Sequence, residues 1–464
     1  MQRNVDIAIL GAGTAGLAAM GQVKHRTSDF VLINGGELGT TCARVGCMPS
    51  KAMIQVAEDF HRRHVFGRHG IKNSARLEFD ADDAMEHVRD LRDIFVDRVL
   101  AGTTDHMGDQ FLEGYARFTG PNTLQVGDVQ IHANKIIIAT GSTPVVPEEW
   151  QQFSDEIITT DTIFELEDLP ASVAVVGLGV VGLELGQAMA RMGVQVTGID
   201  QLQNIGGLTD PEVNQTAIEI LGKEMDIWLG NRAQLSAHPD GIEVRSGVRS
   251  TVVEKVLASM GRCPNLSGLG LGSIGVAFDE KGIPLYDPHT MQIGSLPIFM
   301  AGDVDAQHAV LHEAADEGRI AGLNAVADEV IAYRRRVPLT VTFTDPNIVM
   351  VGRHYEALDL DQIAIGKIRV GPVGRALIMG RNKGLIRVYA DRDNRQIVGA
   401  EMVCPGGEHL GQLLALAIQQ KLEVIELLRL PFYHPTLEEA LQVALKELRD
   451  EIYPPQPHPF ELAW

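Results

Sequence analysis

The sequence predicts an α/β fold in which two parallel-sheet domains are followed by a third domain of the α+β type. Two observations predict the parallel-sheet domains, because a strand, a glycine-rich turn and a helix occur in that order near residue 10 and again near residue 177. A third observation is that the C-terminal segment mixes strands and helices without this turn. A chain of 464 residues also exceeds what one hydrophobic core usually serves.

The first of the two turns lies close to the start of the chain. Residues 5–10 form an apolar run typical of a buried parallel strand, and Gly11, Gly13 and Gly16 follow it at the start of a helix. A second strand is predicted at residues 30–33, where a βαβ unit would place it. Because such glycines let backbone N–H groups approach a pyrophosphate at a helix N-terminus, the pattern predicts a Rossmann-like dinucleotide-binding domain.

The same pattern recurs in the middle of the chain. An apolar run at residues 173–176 precedes the turn, and a helix at residues 183–192 and a strand at residues 194–199 follow it. The glycines of this second turn are Gly177, Gly179 and Gly182. One copy would be a weak signal, because glycine turns are common. Two copies in the same context indicate two dinucleotide sites rather than chance glycine turns.

Asn34 and Asp200 occupy equivalent positions, 18 residues after the last glycine of each turn, where a ribose is expected. The Asp200 carboxylate can accept hydrogen bonds from ribose hydroxyls and would repel a 2′-phosphate. No Arg or Lys lies between Asp200 and Gly207, so the second site is predicted to prefer NAD(H). Asn34 divides one amide between donor and acceptor roles, and we expect it to bind a ribose more weakly.

Prolines and strand ends mark the expected domain limits. A predicted strand ends at residues 139–141 and is followed by Pro144 and Pro147, whose fixed φ suits an exit from the first domain. The chain is expected to return to that domain near residues 297–303. The last segment contains a predicted strand at 385–389 and helices at 411–420 and 437–448. The expected limits are 1–148 and 271–336 for the first domain, 149–270 for the second and 337–464 for the third.

Charge and composition exclude several classes of partner. With 61 Asp and Glu against 40 Lys and Arg, the formal charge of −21 should repel nucleic acid and anionic membranes. No apolar stretch approaches the roughly 18 residues that span a bilayer, and no signal peptide precedes the first strand, so a cytoplasmic protein is expected. Four cysteines are too few for a secreted disulfide framework. Cys263 and Cys404 stand alone and are expected to be small buried residues.

Cys42 and Cys47 are the cysteines that point to chemistry. In a regular helix, residues five apart have Cα atoms roughly 8 to 9 Å apart, beyond the ~7 Å limit of a disulfide. A bridged pair needs a distorted turn, which Gly46 and Pro49 permit. The alternatives are two buried thiols or half of a zinc site, but zinc would need further ligands at suitable spacing. A CxxxxC pair in a cytosolic chain favours redox catalysis, and no metal is predicted.

These motifs together resemble the pyridine nucleotide-disulfide oxidoreductase family over nearly the whole chain. Both glycine-rich turns carry the resemblance, as do residues 39–51, 139–141, 261–265, 301–303 and 434–439. The resemblance implies an FAD-binding domain, an NAD-binding domain and a C-terminal α+β dimerisation domain. It therefore implies two cofactors, FAD and NAD, and a homodimer.

The resemblance also implies which residues bind the cofactors. FAD would contact the first glycine-rich turn and five further positions, with the Asp303 carboxylate meeting the ribityl chain. These positions are Asn34, Lys51, Thr140, Gly141 and Asp303. NAD would contact the second turn, Asp200 and Gly261.

Within the same resemblance, Cys47 would lie against the flavin as the charge-transfer thiol. Cys42 would face the substrate as the interchange thiol. Lys51 and Glu184 match the pair that lies near flavin N5 in the family. The simpler interpretation of either residue alone is an exposed charge on a helix.

His434 and Glu439 match the catalytic base and its orienting carboxylate, which the family delivers to Cys42 of the partner subunit. An imidazole held by a carboxylate suits the removal of a thiol proton near pH 7. The alternative is that Thr436 and Glu439 form a capping box at the start of the last helix.

Ser50, Val180 and Asp200 resemble the dihydrolipoamide dehydrogenase branch of the family. This sequence has no C-terminal cysteine pair, which argues against mercuric reductase. It does have the second cysteine of the redox pair, Cys47, which the transhydrogenase branch lacks. Four positions depart from the common pattern: Asn34, Thr40, Arg44 and Tyr433.

The expected activity is therefore the oxidation of dihydrolipoamide by NAD⁺, with a lipoyl domain or a small disulfide as the substrate in trans. One alternative is an NADH-dependent reductase of another disulfide, a quinone or a metal ion. Another is a flavin-based redox sensor with little turnover.

Overall fold

Three large β-sheets and two smaller ones organise the chain in the structure, a computed structural model that describes residues 1–307 and 309–455. The first sheet has the order β3-β2-β1-β6-β5-β4, with β17 beside β6. Its strands are β1 (Gln2–Leu10), β2 (Phe30–Asn34), β3 (Phe111–Glu113), β4 (Ala116–Gly120), β5 (Thr123–Val126), β6 (Val129–Ile138) and β17 (Ile298–Met300). The central strands are parallel, as the predicted βαβ unit requires.

Helices α1 (Thr14–Val23) and α8 (Leu311–Val326) pack together on this sheet. The cysteine pair is carried by the helices that follow β2, which are α2 (Thr41–Arg44), α3 (Cys47–His61), α4 (Arg63–Phe66) and α5 (Ala81–Gly102), and α3 and α5 pack against the second unit. Gly318 lets α8 pack directly on α1, because a Cβ there would lie 2.1 Å from the carbonyl oxygen of Ala15. The late strand β17 and helix α8 therefore complete the unit that the first 140 residues begin.

The second sheet is entirely parallel, in the order β11-β10-β9-β15-β8. Its strands are β8 (Ile157–Ile158), β9 (Ser172–Val176), β10 (Gln195–Asp200), β11 (Asp226–Leu229) and β15 (Lys255–Ala258), and its helices are α6 (Val180–Arg191) and α7 (Pro211–Leu221). An antiparallel sheet of β12 (Ala233–His238), β13 (Gly241–Ser246) and β14 (Arg249–Val253) packs beside it. The second predicted strand, turn and helix are thus present within a few residues of their predicted limits.

A short antiparallel pair connects the two nucleotide units. β7 (Ser142–Pro144) pairs with β16 (Arg262–Pro264), so the exit from the first unit lies beside the return from the second. This pairing brings the turn at residues 139–141 close to the segment at residues 261–265.

The third sheet is antiparallel, in the order β18-β19-β22-β21-β20. Its strands are β18 (Leu339–Thr342), β19 (Asn347–Gly352), β20 (Ile363–Arg369), β21 (Leu385–Asp391) and β22 (Ile397–Cys404). Its helices are α9 (Gly374–Met379), α10 (Gly407–Gln419), α11 (Val424–Leu428) and α12 (Glu439–Ile452). The apolar face of α12 is buried against β20, where Gly366 permits close approach because a Cβ would lie 2.0 Å from the Ala444 carbonyl. The predicted α/β fold with a C-terminal α+β domain is confirmed.

Candidate active site

The first glycine-rich turn leaves no room for a side chain at its first and last glycines. A Cβ on Gly11 would lie 2.2 Å from the carbonyl oxygen of Ala139, and one on Gly16 would lie 1.9 Å from the carbonyl oxygen of Gly11. A Cβ on Gly13 would meet open space, and no side chain caps α1 at this residue. The first N–H groups of α1 are therefore available to an anion, and this cradle fits the pyrophosphate of FAD.

The predicted FAD residues outside the turn lie around it. The amide oxygen of Asn34 accepts a hydrogen bond from the N–H of Ala12 at 3.0 Å, within the turn. Gly11 packs against Thr140, since a Cβ on Gly11 would lie 3.3 Å from the Thr140 Cα. Asp303 accepts a hydrogen bond from Ser142 Oγ at 2.8 Å. The structure thus brings these segments together on one edge of the first sheet.

The second glycine-rich turn repeats this geometry. A Cβ on Gly182 would lie 1.9 Å from the carbonyl oxygen of Gly177, as in the first turn. Asp200 accepts a hydrogen bond from the N–H of Leu178 at 2.7 Å, in the same position that Asn34 takes in the first turn. Gly177, Asp200 and Gly261 all line one cleft of about 560 Å³. This cleft fits the predicted NAD site.

One cationic residue of this cleft, Arg232, was not predicted from the sequence. Arg232 lines it beside Asp200 and donates a hydrogen bond from Nε to the amide oxygen of Gln201 at 2.9 Å. It lies 32 positions after Asp200 in the chain, just before β12, so a search of the residues next to Asp200 could not find it. The ribose end of the cleft therefore carries both a carboxylate and a guanidinium.

The chain between Cys42 and Cys47 departs from a regular helix, as predicted. Helix α2 ends at Arg44, and α3 begins at Cys47 after a break at Val45 and Gly46. Gly46 has φ −128° and ψ −118°, and a Cβ there would lie 2.9 Å from the Thr41 carbonyl oxygen. Pro49 does not cause the break. It lies in the first turn of α3, where its missing N–H leaves no helical bond unmade.

The two thiols of this pair are electrostatically unequal. A hydrogen bond between the side chains of Cys42 and Cys47 and the nearby charge of Lys51 lower the pKa of Cys47 to about 7. The same hydrogen bond, together with burial, raises the pKa of Cys42 above its ordinary value. These opposite shifts favour a thiolate on Cys47 rather than on Cys42 in the reduced pair.

Thr40 precedes this pair in a backbone conformation that favours glycine, with φ 66° and ψ 149°. Its hydroxyl accepts a hydrogen bond from the N–H of Ala43 at 3.3 Å and caps α2. The departure from the common family pattern at this position therefore adds backbone strain and a capping bond to the segment that carries Cys42.

Lys51 and Glu184 are in contact. Lys51 Nζ lies 2.7 Å from a carboxylate oxygen of Glu184, whose side chain is 3% exposed. The other carboxylate oxygen accepts a hydrogen bond from the N–H of Phe343 at 2.8 Å. One buried carboxylate therefore joins α3 of the first unit, α6 of the second and the third unit. The interpretation of Glu184 as an exposed helix charge is wrong.

His434 and Glu439 form a hydrogen-bonded pair on the surface. His434 Nδ1 lies 2.8 Å from Glu439, and the imidazole is 79% exposed. The capping-box alternative is wrong, because α12 begins at Glu439 itself and the Thr436 hydroxyl donates to the carbonyl oxygen of Tyr433. The carboxylate orients the ring and leaves Nε2 open to a group outside this chain.

Two other departures from the family pattern lie at the surface. Arg44 forms an ion pair with Glu37, and Tyr433 is 80% exposed. Cys404 is buried as expected, but Cys263 is exposed on β16, so its expected burial is wrong.

Within residues 1–307 and 309–455, no cluster of His, Cys, Asp and Glu could hold a metal ion. In the same residues, no helix is both long and apolar enough to cross a membrane.

Comparison with sequence families gives two matches. The model of the family described as pyridine nucleotide-disulphide oxidoreductase matches residues 5–318. The model of the dimerisation domain of the same family matches residues 338–445. The second match indicates a homodimer built through the third unit.

Curated relatives match nearly the whole chain. The dihydrolipoyl dehydrogenase of Thermus scotoductus is 29% identical over 463 residues, which cover 97% of this chain and 98% of the relative. The mitochondrial dihydrolipoyl dehydrogenase of Homo sapiens is 29% identical over 467 residues and covers 95% of this chain and 90% of its own.

Solved structures share the fold at lower identity. LpdA from Mycobacterium tuberculosis is 23% identical, has a TM-score of 0.84 and covers 96% of this chain and 99% of its own. The Cu(II) complex of the HOCl-induced flavoprotein disulfide reductase RclA from Escherichia coli is 22% identical, with a TM-score of 0.82 and the same coverage.

Proposed function

Because the chain belongs to the pyridine nucleotide-disulphide oxidoreductase family, we propose that it oxidises dihydrolipoamide to lipoamide with NAD⁺ as the acceptor. FAD and a pyridine nucleotide are the cofactors of this family, and the two glycine cradles fit them. The observation that carries the proposal is the Cys42 and Cys47 pair on the two sides of the break between α2 and α3, with the Cys47 pKa lowered to about 7. The relatives named dihydrolipoyl dehydrogenase support this substrate.

The proposed reaction is a thiol–disulfide exchange at an oxidised Cys42–Cys47 pair. One thiolate of dihydrolipoamide attacks Cys42 Sγ, so that a substrate–Cys42 bond forms, the Cys42–Cys47 bond breaks and Cys47 leaves as a thiolate. The second substrate thiol then attacks the substrate sulfur of this mixed disulfide, which releases lipoamide and the Cys42 thiol. Two electrons thereby pass from the substrate to the cysteine pair.

The chain supplies groups for each proton and charge in this exchange. His434, with Nδ1 held by Glu439, presents Nε2 to take and hold the proton of the first attacking thiol, and the proton of the second thiol passes to the Cys42 sulfur as it leaves. Lys51 favours the thiolate on Cys47, the better leaving group. When bound, FAD supplies the two-electron carrier between the cysteine pair and NAD⁺.

Arg44 favours a second candidate, an NADH-dependent reductase of another disulfide, a quinone or a metal ion. It lies two residues after Cys42, where the common family pattern has Asn, and its guanidinium pairs with an exposed carboxylate of Glu37. An arginine two residues from Cys42 would favour an anionic substrate over a neutral amide such as dihydrolipoamide when its ion pair with Glu37 opens. A redox sensor with little turnover is the third candidate.

Steady-state turnover separates these candidates. The wild-type protein should reduce NAD⁺ with dihydrolipoamide at least 10-fold more efficiently than it oxidises NADH with charged disulfides, quinones or Cu(II). Arg44→Asn should leave this ranking unchanged. Faster reduction of a charged disulfide that is lost in Arg44→Asn would favour the second candidate, and negligible turnover with every substrate would favour the sensor.

A further inference from the structure

A second cleft lies where all three units meet, far along α3 from the cysteine pair. It encloses about 230 Å³. The C-terminal end of α3 with α4, the C-terminal end of α6, the residues after α7 and the segment at residues 379–383 form its walls. We call it the junction cleft. None of the residues assigned above to cofactors or to the cysteine chemistry lines it.

The acidic side chains of the junction cleft are already paired. Glu224 lies 2.7 Å from the guanidinium of Arg191, and Asp345 lies 3.2 Å from the same group. Glu58 lies 3.4 Å from the guanidinium of Arg381. These three carboxylates carry one negative charge more than the two arginines balance, so the five Arg and Lys residues that line the cleft leave it a net charge of about +2.

Three further cations line the cleft without an acidic partner among the described residues. These are Arg62, Arg68 and Lys383, all exposed to solvent. Arg68 is directed to the opposite wall, because its Nη1 would lie 3.8 Å from a Cβ placed on Gly380. Excess positive charge concentrated in the junction cleft is unusual on a chain whose formal net charge is −21.

We propose that the junction cleft binds a small phosphate-based polyanion of the pyrophosphate class. Planar guanidinium groups present paired N–H donors that match phosphate oxygens, and concave cationic walls concentrate an anion. The volume of about 230 Å³ is less than half that of the NAD cleft and below the ~300 to 1,000 Å³ typical of drug-sized ligands, so a whole dinucleotide does not fit.

An anion held there would connect the three units at the end of α3 and α6 away from the cysteines. Helix α3 begins with Cys47 and runs to His61 in the cleft, and α6 carries Glu184 near one end and Arg191 at the other. A ligand that binds only the folded protein raises its thermal stability in proportion to the free energy of binding. Thermal stabilisation by pyrophosphate is therefore the direct consequence of the proposal.

Calorimetry and thermal denaturation of the FAD-loaded protein test this site. Both are measured with inorganic pyrophosphate at saturating NAD⁺, so that the pyrophosphate position of the NAD cleft is filled. We expect one site per chain and a higher melting temperature. Arg68→Gln with Lys383→Gln should weaken binding at least 10-fold, while FAD content and NADH oxidation stay at wild-type values. Lys281→Gln, which removes one exposed charge from a turn outside the cleft, is the control for a general change in charge.

Citrate and ADP serve as competing probes in the same experiment. Displacement of pyrophosphate by ADP but not by citrate would identify the phosphate tail of a nucleotide as the natural ligand class, whereas equal displacement by citrate would overturn the preference for phosphate. Absence of pyrophosphate binding, or equal loss of affinity in Lys281→Gln and the double variant, would overturn the site itself.

Discussion

At the scale of single residues, the charge of Cys47 depends on whether the side chain at position 42 donates a hydrogen bond to its sulfur. The hydrogen bond with Cys42 is the largest cause of the lowered pKa of Cys47. Serine keeps a donor at this position and alanine removes it, so Cys42→Ser should keep the Cys47 pKa near 7 and Cys42→Ala should raise it. Because the pKa of Cys47 is depressed, the thiolate persists as the pH falls below the ordinary pKa of a thiol and is lost as the pH falls through about 7.

This prediction is measured as the pH dependence of Cys47 alkylation by iodoacetamide, followed by mass spectrometry of the peptide. Cys263 is exposed in the same protein, and its alkylation provides the internal control. Identical Cys47 profiles in Cys42→Ser and Cys42→Ala would show that the position-42 hydrogen bond does not set the Cys47 charge.

Thr40 combines strain with a helix cap, and two substitutions separate these effects. Thr40→Gly relieves a backbone conformation that costs roughly 1 to 3 kcal/mol. The same change costs only about a few tenths of a kcal/mol through the lost helix cap. Thr40→Ala keeps the strain and loses about 1 kcal/mol of capping. The melting temperature of the FAD-loaded protein should therefore rise in Thr40→Gly and fall in Thr40→Ala. A fall in both would show that the strain is not relieved.

Asp200 and Arg232 make opposing contributions to nucleotide preference. The carboxylate should favour NADH over NADPH by roughly 1 to 3 kcal/mol, which is about 5- to 150-fold in kcat/KM. The Arg232 guanidinium in the same cleft offsets part of the repulsion of a 2′-phosphate, so Arg232→Gln should widen the preference. Equal kcat/KM with both nucleotides in the wild-type protein would refute the role of Asp200.

At the scale of elements, α6 offers two glycines with different surroundings. A Cβ on Gly182 would lie 1.9 Å from the Gly177 carbonyl oxygen, whereas one on Gly186 would first meet Val175 Cγ2 at 3.4 Å. Gly182→Ala should therefore displace the turn and raise the KM for NADH at least 10-fold, with normal FAD content. Gly186→Ala, on the same helix, should behave as wild type. A wild-type KM in Gly182→Ala would mean that the turn does not contact the nucleotide.

The elements that the sequence predicted best are those with a strict local pattern. The two glycine-rich turns follow buried strands, and their steric demands on Gly16 and Gly182 come from backbone atoms close in sequence. The capping box failed because Thr436 and Glu439 each have another partner. Arg232 and the junction cleft were beyond sequence analysis, because both arise from segments that only the folded chain brings together.

At the scale of the whole molecule, the cysteine pair and the proposed base are contributed by different units. Cys42 belongs to the first unit, whereas His434 lies on the surface of the third unit, which matches a dimerisation domain. The sequence indicated the pair of His434 and Glu439 by resemblance, but the exposure of the imidazole is visible only in the fold. An exposed base on a dimerisation domain is what a site shared between two subunits requires.

Complementation between two inactive variants tests this shared site most directly. His434→Gln should lower dihydrolipoamide turnover by roughly 10²- to 10⁴-fold, as loss of a general base does, while FAD content stays normal. Cys42→Ser should be nearly inactive. In a mixed dimer, one site combines Cys42 of the first variant with His434 of the second.

Equimolar subunits of the two variants, unfolded together and reassembled with FAD, should regain about a quarter of the wild-type turnover, because half of the dimers carry one intact site. Each variant reassembled alone should remain inactive. If the mixture of His434→Gln and Cys42→Ser recovers no activity while wild-type protein recovers fully, the site is not shared between subunits.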